Sequence, residues 1–220
     1  MEVVNLFKHY VLHSEAKKHN SEAKKHKNEV KNHENEVSDA ENFEVSGVFS
    51  DTREVLSNSV FVALRGAQMD GHKFIAQAIE KGARALVVED LSAIPNSYQG
   101  RVYLVLNARR ALSDLAARFY DHPSLKLRCI GVTGTNGKSS TVLLLEHLLN
   151  AVQVSTGVIG TIDHHYLNHR WSTGMTTPGP MHLQHRLKEF LDLGAKAVAM
   201  EVSSHGLEQN RVDHIAFQTV

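Results

Sequence analysis

The residues best suited to chemistry lie in one run, Gly131 to Ser140, which reads GVTGTNGKSS. The stretch LRCIGV precedes the loop, and a strongly apolar stretch of helical character follows it. A strand, a glycine-rich loop and a helix in that order make a cradle for phosphate. Glycine lets the backbone approach an anion without a Cβ clash, and successive N–H groups and the helix N-terminus face it. Gly134, Thr135, Asn136, Gly137, Lys138, Ser139 and Ser140 are therefore the expected ATP-binding residues. Lys138 would reach the β- and γ-phosphates, and the Ser139 hydroxyl would hold Mg2+. The strict pattern G-x-x-x-x-G-K-[ST] is not met, because position 132 is Val132 and the glycines stand at 131 and 134. The strand–loop–helix context carries the reading, against the alternative of an ordinary turn that contains Gly-Lys.

A second group lies downstream. Glu201 sits near the end of the apolar run AVAMEV. An acid there is placed to partner Mg2+ or water at a phosphate site; the alternative is an exposed acid at a strand end. Ser203, Ser204 and His205 follow at once, at the carboxyl end of the strand, where ligands bind in open α/β sheets. Thr176-Thr177-Pro178 is polar and turn-forming, and by itself reads as a helix N-cap region.

The elements that must position these residues alternate between strand and helix. Val60–Leu64, Ala85–Glu89, Val102–Leu106, Leu127–Val132, Val154–Thr161 and Ala197–Val202 read as strands. Phe74–Lys81 reads as a helix stopped by Gly82, and His182–Leu193 as an amphipathic helix stopped by Gly194. Ala111, Leu112, Leu115 and Phe119 have helical spacing, ended by Asp121-His122-Pro123. Ser139–Ala151 is the apolar helix after the loop. This alternation implies an α/β chain with largely parallel sheets. A boundary near Pro123–Lys126 separates a first domain, 47–124, from a nucleotide domain, 125–220.

Composition narrows the class. Lysine plus arginine equals aspartate plus glutamate at 24 each, so the balance suggests neither nucleic acid nor an anionic membrane as a partner. Hydrophobic content of 42% supports a real core. Cys129 is the single cysteine, so no intrachain disulfide or cysteine-based zinc site can form, which fits a reducing cytoplasm. No stretch reaches the roughly 18 apolar residues of a membrane helix.

Residues 14–41 are four heptads, SEAKKHN, SEAKKHK, NEVKNHE and NEVSDAE, within an N-terminal segment spanning 1–46. A coiled coil wants two apolar positions per heptad. Here there is one, filled by Ala16, Ala23, Val30 and Val37. The expectation is a solvated helix or a disordered arm, with a weak protein-binding helix as the alternative. His19, His26 and His33 recur along one face, but no other strong ligand joins them to make a metal site.

Taken in order, TGTNGKSS, TTPG and MEVSSHGLEQNRV resemble the Mur ligases of peptidoglycan synthesis, most closely the MurE type. The first domain agrees through Ser50-Asp51-Thr52-Arg53, SVFVALRG, Asp70-Gly71-His72 and GARALVVED, which look like that family's UDP-binding domain. The resemblance covers about residues 47–220 and leaves the heptad arm outside. It implies a small UDP-binding α/β domain followed by a truncated P-loop parallel-sheet domain that binds ATP. The implied activity is ATP-dependent amide bond formation. A diamino acid, meso-diaminopimelate or lysine, would be added to UDP-N-acetylmuramoyl-L-alanyl-D-glutamate through an acyl phosphate.

The resemblance also assigns residues. Lys138 and Glu201 are implied to be catalytic, and Ser139 and Glu201 to hold Mg2+. Ser50, Thr52, Ala67, Gln68 and Met69 match contacts to the nucleotide side of the UDP-sugar, Thr52 standing where serine is commoner. Thr176, Thr177, Ser203, Gln209 and Arg211 match residues that hold the muramoyl-peptide. Asp51 and Arg53 are expected to be structural, paired with each other or with backbone. The family continues beyond Ala216–Val220 with a metal-binding modified lysine and a domain for the incoming amino acid. The expectation is therefore that 220 residues alone do not ligate. Three readings compete: the N-terminal portion of such a ligase, a catalytically inactive remnant that binds nucleotide or UDP-sugar, and an interaction protein working through the arm. A folylpolyglutamate synthetase is an enzymatic alternative, opposed by the character of the first domain.

Overall fold

A computed structural model describes residues 1–8, 10, 42–66 and 69–220. The heptad arm and the pair Ala67–Gln68 lie outside the described residues. The chain divides into two units, Met1–Ala108 and Arg109–Val220.

In the first unit a helical turn α1 (Val3–Leu6) precedes β1 (Val48–Phe49) and β2 (Ser59–Val62). A 3-10 turn at Gly71–Phe74 then runs into α2 (Ile75–Glu80), followed by β3 (Ala83–Val88) and β4 (Arg101–Leu104). The four strands form a parallel sheet in chain order, with Val60 paired to Ala85 and Leu86 to Val102. All four residues of β2 are buried, the pattern of a strand covered on both faces. Gly82 (φ +95°) ends α2, as its position after the apolar helix suggests. The flanks of the N-terminal segment belong to this unit. The Val3 N–H donates to the Phe43 carbonyl at 2.9 Å, and the Phe7 ring stacks on Tyr103 at 3.7 Å between centroids. Val3, Leu6 and Phe7 make a short apolar face that buries itself against the sheet.

The second unit holds most of α3 (Ala108–Phe119), then β5 (Arg128–Val132), α4 (Lys138–Ala151), β6 (Thr156–Ile159), β7 (His164–Tyr166) and β8 (His169–Trp171). It closes with α5 (Pro180–Asp192), β9 (Ala197–Glu201), α6 (Ser204–Glu208) and β10 (Phe217–Thr219). The sheet order is β10-β5-β9-β6-β7-β8. The first four are parallel, and β7 and β8 extend the sheet as an antiparallel hairpin. The hairpin is absent from the elements read from sequence because HHYLNHRW shows no apolar alternation, yet His164 and His165 are both buried. The division between the units falls after Ala108, the first residue of α3, whereas the boundary read from sequence lies at 124/125. Within the second unit, Arg110 Nε lies 3.4 Å from Asp213, and His214 Nδ1 3.7 Å from Asp114. Phe190, Leu183, Leu187, Met200 and Ile159 are fully buried in the core. The Phe190 ring lies flat against Gly157, where a Cβ would come within 2.6 Å of it. Among the described residues no helix is long and apolar enough to cross a membrane.

Burial, helped by the nearby Arg186 charge, holds the His164 imidazole down at about 4 against an ordinary 6.5. Below pH 6.5 the unfolded chain therefore takes up a proton that the folded chain refuses. Stability falls as pH drops from 6.5 to about 4 and is not further affected by this group below that. Urea unfolding at both ends of the window is expected to show this group costing up to roughly 3 kcal/mol. The slope should shrink in His164→Phe, and an unchanged slope in that variant would contradict the assignment.

Candidate functional site

The site is set by the register of two neighbouring strands. β5 pairs with β9 so that Gly131 lies opposite Met200 and Val132 opposite Glu201. The Val202 N–H donates to the Val132 carbonyl at 2.9 Å. Both strands thus stop at one height, at their carboxyl ends. The loop leaving β5 and the carboxylate ending β9 emerge side by side.

The loop takes its shape from two glycines. Gly134 (φ +133°) and Gly137 (φ +80°) adopt angles that a residue with a Cβ resists, and a Cβ on Gly137 would meet nothing within 4 Å. Backbone angle, not crowding, is what requires glycine at 137, and the space beside it is open. Gly137 caps α4 with no side-chain cap, its carbonyl accepting the Thr141 N–H at 2.9 Å. The first-turn N–H groups of α4 therefore face open space, as an anion site needs. Lys138 Nζ donates to the Gly134 carbonyl at 2.7 Å, so the ammonium bends back over the loop.

Glu201 is 2% exposed, and a buried carboxylate needs partners. It has three. The Ser139 hydroxyl donates to Oε1 at 2.9 Å, and the Thr161 N–H donates to the same oxygen at 2.8 Å. The Thr161 hydroxyl donates to Oε2 at 3.1 Å, and its oxygen lies 2.9 Å from the Thr176 hydroxyl. A hydroxyl has one proton, so the two threonines form a chain directed at the carboxylate. Gly160 is required beside them, since a Cβ there would lie 2.4 Å from Oε1. The strand read as Val154–Thr161 in fact stops at Ile159, and Gly160-Thr161 turns to grip the acid. Thr161 is the residue that sequence reasoning missed. Its signal was a glycine closing a buried strand.

Ser139 and Glu201 offer two hard oxygen ligands, which suit an Mg2+ that takes its other ligands from phosphate and water. Among the described residues no group of three or more His, Cys, Asp or Glu is arranged to hold a metal by itself. A cavity of about 260 Å3 runs from Ser139 and Glu201 toward Glu146, Asp163, His165 and Arg170. There His165 bridges the helix and the hairpin, 3.1 Å from Glu146 and 2.6 Å from Asp163.

The other residues expected in this unit gather beside Glu201. The Thr177 hydroxyl donates to the Glu201 carbonyl at 3.0 Å and accepts the Ser203 N–H at 2.9 Å. Thr177 is fully buried, so its side chain braces the backbone. The Ser203 hydroxyl caps α6, accepting the Gly206 N–H at 3.1 Å. Arg211 donates to the Thr177 carbonyl at 2.6 Å and to Gln209 Oε1 at 2.7 Å. Burial and the neighbouring Arg109 charge lower the Arg211 pKa.

The remaining expected residues lie in the first unit. Ser50 is exposed, and the Thr52 hydroxyl donates to Gln77 Oε1 at 2.7 Å. Asp51 and Arg53 pair with each other, as expected. The hydrogen bond from Arg53 holds the Asp51 carboxyl down at about 2. Met69 is exposed, and its carbonyl accepts the Gly66 N–H at 2.9 Å. His72 is buried. Its Nε2 accepts the Glu89 N–H at 3.1 Å, which leaves the proton on Nδ1, 2.7 Å from Asp70.

Residues 44–120 match the model described as Mur ligase family, catalytic domain, and residues 132–220 match the Mur ligase middle domain. A UDP-N-acetylmuramoyl-L-alanyl-D-glutamate–2,6-diaminopimelate ligase of Geobacter sulfurreducens is 42% identical over 174 residues, 79% of this chain and 34% of that protein. The ligase of the same name from Aquifex aeolicus is 42% identical over 176 residues, 80% of this chain and 36% of that protein. A solved structure of a ligase so named superposes with a TM-score of 0.66 at 28% identity, covering 79% of this chain and 35% of that one. The chain spans about a third of the length of the curated relatives it matches.

Thr161→Val keeps the N–H bond to Glu201 and removes the hydroxyl bond. One hydrogen bond to a charged group is worth about 1.5–3 kcal/mol, so the affinity for a non-hydrolysable ATP analogue with Mg2+ is expected to fall by about tenfold or more. Calorimetric titration checks this. Unchanged affinity would show that Thr161 does not set the carboxylate.

Proposed function

We propose, since the chain belongs to the Mur ligase family, that it supplies the substrate-binding and phosphate-binding parts of an ATP-dependent ligase of peptidoglycan synthesis. The reaction joins diaminopimelate to UDP-N-acetylmuramoyl-L-alanyl-D-glutamate. The observation that carries this reading is the 2.9 Å contact of Ser139 with Glu201 beside the open glycine loop. The names of the 42% identical relatives supply the substrates.

The chemistry follows from the weakness of a carboxylate as an electrophile. Transfer of the γ-phosphoryl group to the D-glutamyl carboxylate gives an acyl phosphate and ADP. The amine then attacks the acyl carbon, phosphate leaves, and an amide remains. The loop N–H groups from Gly134 to Ser140 would hold the phosphates. Lys138 would swing from the Gly134 carbonyl onto the β- and γ-phosphates and neutralise the group in transfer. Mg2+, when bound at Ser139 and Glu201, supplies further positive charge to that group. Thr176, Ser203, Gln209 and Arg211 would hold the muramoyl-peptide, with Thr177 fixing the backbone between them. Ser50, Thr52, Ala67, Gln68 and Met69 would take the uridine side. Substrates of this kind, with ATP, require a cytoplasmic setting.

Titration with UDP-N-acetylmuramoyl-L-alanyl-D-glutamate is the test. The chain is expected to bind it, and Arg211→Ala is expected to weaken binding by about tenfold, the loss of one charged contact. No detectable binding at about 1 mM, a concentration that still registers weak affinities, would contradict the assignment.

A further inference from the structure

We propose, resting on the reading of Ser139 and Glu201 as the Mg2+ and phosphate site, that His165 is a positioning residue for that site. It clamps α4 to the turn that carries Thr161. Two bridges join the same pair of elements. At one end Ser139, from the first turn of α4, and Thr161, from the turn between β6 and β7, meet on Glu201. At the other end Glu146 of α4 meets His165 of β7, and His165 meets Asp163 of that same turn. Ser139 and Glu146 are seven residues apart in the helix, close to two turns. They therefore share one face of α4, about 10 Å apart along its axis.

Little apolar packing fixes α4. Val142 alone among its fourteen described residues is buried, in a small cluster with Val158 and Ala199. Leu144 and Leu148 are 58% and 54% exposed. Between the two bridges the helix stands beside the cavity of about 260 Å3, with Leu143, Val158 and Ile162 in its wall. A gap forfeits the contacts that would otherwise set the distance between helix and hairpin. Val158 lies opposite His165 in the pairing of β6 with β7. The apolar seat of the helix and the clamp thus act on one rung of the sheet.

The chemistry of the clamp suits it to hold. The His165 side chain is 7% exposed, and each ring nitrogen faces a carboxylate oxygen, Nδ1 at 2.6 Å and Nε2 at 3.1 Å. Ionised carboxylates only accept, so both bonds form when both ring nitrogens carry protons. Arg170, the partner of His165 across the hairpin, donates to the other Asp163 oxygen at 2.5 Å. With His165 so protonated, cation and carboxylate alternate from β8 to α4 through Arg170, Asp163, His165 and Glu146. Bonds between charged groups are the stronger kind, and this series ends on the helix. The helix is one hydrogen-bonded body, so a displacement at Glu146 is carried to Ser139.

Calorimetric titration of the full chain with a non-hydrolysable ATP analogue, with and without Mg2+, tests this. His165→Leu and Glu146→Ala are each expected to weaken binding by about tenfold with Mg2+ present. Without Mg2+ the loss should be about twofold or less, because the loop N–H groups remain. In a Ser139→Ala background neither substitution should cost more than about twofold, since the group they position is gone. Amide hydrogen exchange on the unliganded chain is the second measurement. The Thr161 N–H donates to Glu201, and its exchange should quicken by about tenfold in both variants. Alanine is the best helix former, so Glu146→Ala keeps α4 and reports even where His165→Leu does not fold. The proposal is overturned if binding with Mg2+ is unchanged in Glu146→Ala, if the loss is equal without Mg2+, or if Thr161 exchange is unchanged. An unaltered chain whose binding ignores Mg2+ would instead contradict the phosphate-site reading, with Thr161 exchange still deciding the role of His165.

Discussion

The candidate site depends on one backbone constraint, the pairing of β5 with β9 that sets Val132 opposite Glu201. β9 enters the sheet between β5 and β6, although it follows both in the chain. That crossover brings an acid 62 residues downstream of Ser139 to within hydrogen-bond distance of it. A slip of one residue would turn Glu201 to the other face of the sheet. The complete burial of β9 guards against the slip, because both of its faces are committed to packing. Precision at the site therefore comes from the core, with the loop glycines supplying only local shape.

The same constraint explains why the surroundings of Glu201 are so fully specified. An ionised carboxylate away from water is costly unless hydrogen-bonded. Ser139, the Thr161 N–H and the Thr161 hydroxyl satisfy it from α4 and from the turn after β6. Thr177 fixes the backbone on either side of Val202. The carboxylate is thus held in place, while the Lys138 ammonium donates to the Gly134 carbonyl.

Much of this was legible from residues alone. The loop, its flanking strand and helix, and Glu201 at the end of a buried strand were all visible, because apolar runs and glycines punctuate parallel α/β folds clearly. Gly82 and Gly194 ended their helices where the pattern said. What escaped were features decided by tertiary partners. The hairpin at 164–171 buries histidines that a polarity pattern assigns to the surface. Thr161 is exposed, and only the fold reveals that its hydroxyl meets a buried carboxylate. The Thr177 hydroxyl bonds the backbone on both sides of Val202, contacts that only the fold reveals. The place of Met1–Phe7 in the first unit likewise rests on a stacking contact with Tyr103, nearly a hundred residues away in sequence, that no local pattern announces.

The central claim is that Ser139 and Glu201 act as one unit at the phosphate loop. A double-mutant cycle measures this directly, using the affinity of a non-hydrolysable ATP analogue with Mg2+ for the chain, Ser139→Ala, Glu201→Gln and the double variant. The account expects the double variant to lose little beyond either single one, with a coupling energy of about 1 kcal/mol or more. Losses that add to within about 0.3–0.5 kcal/mol would mean that the two residues act independently, and would contradict it.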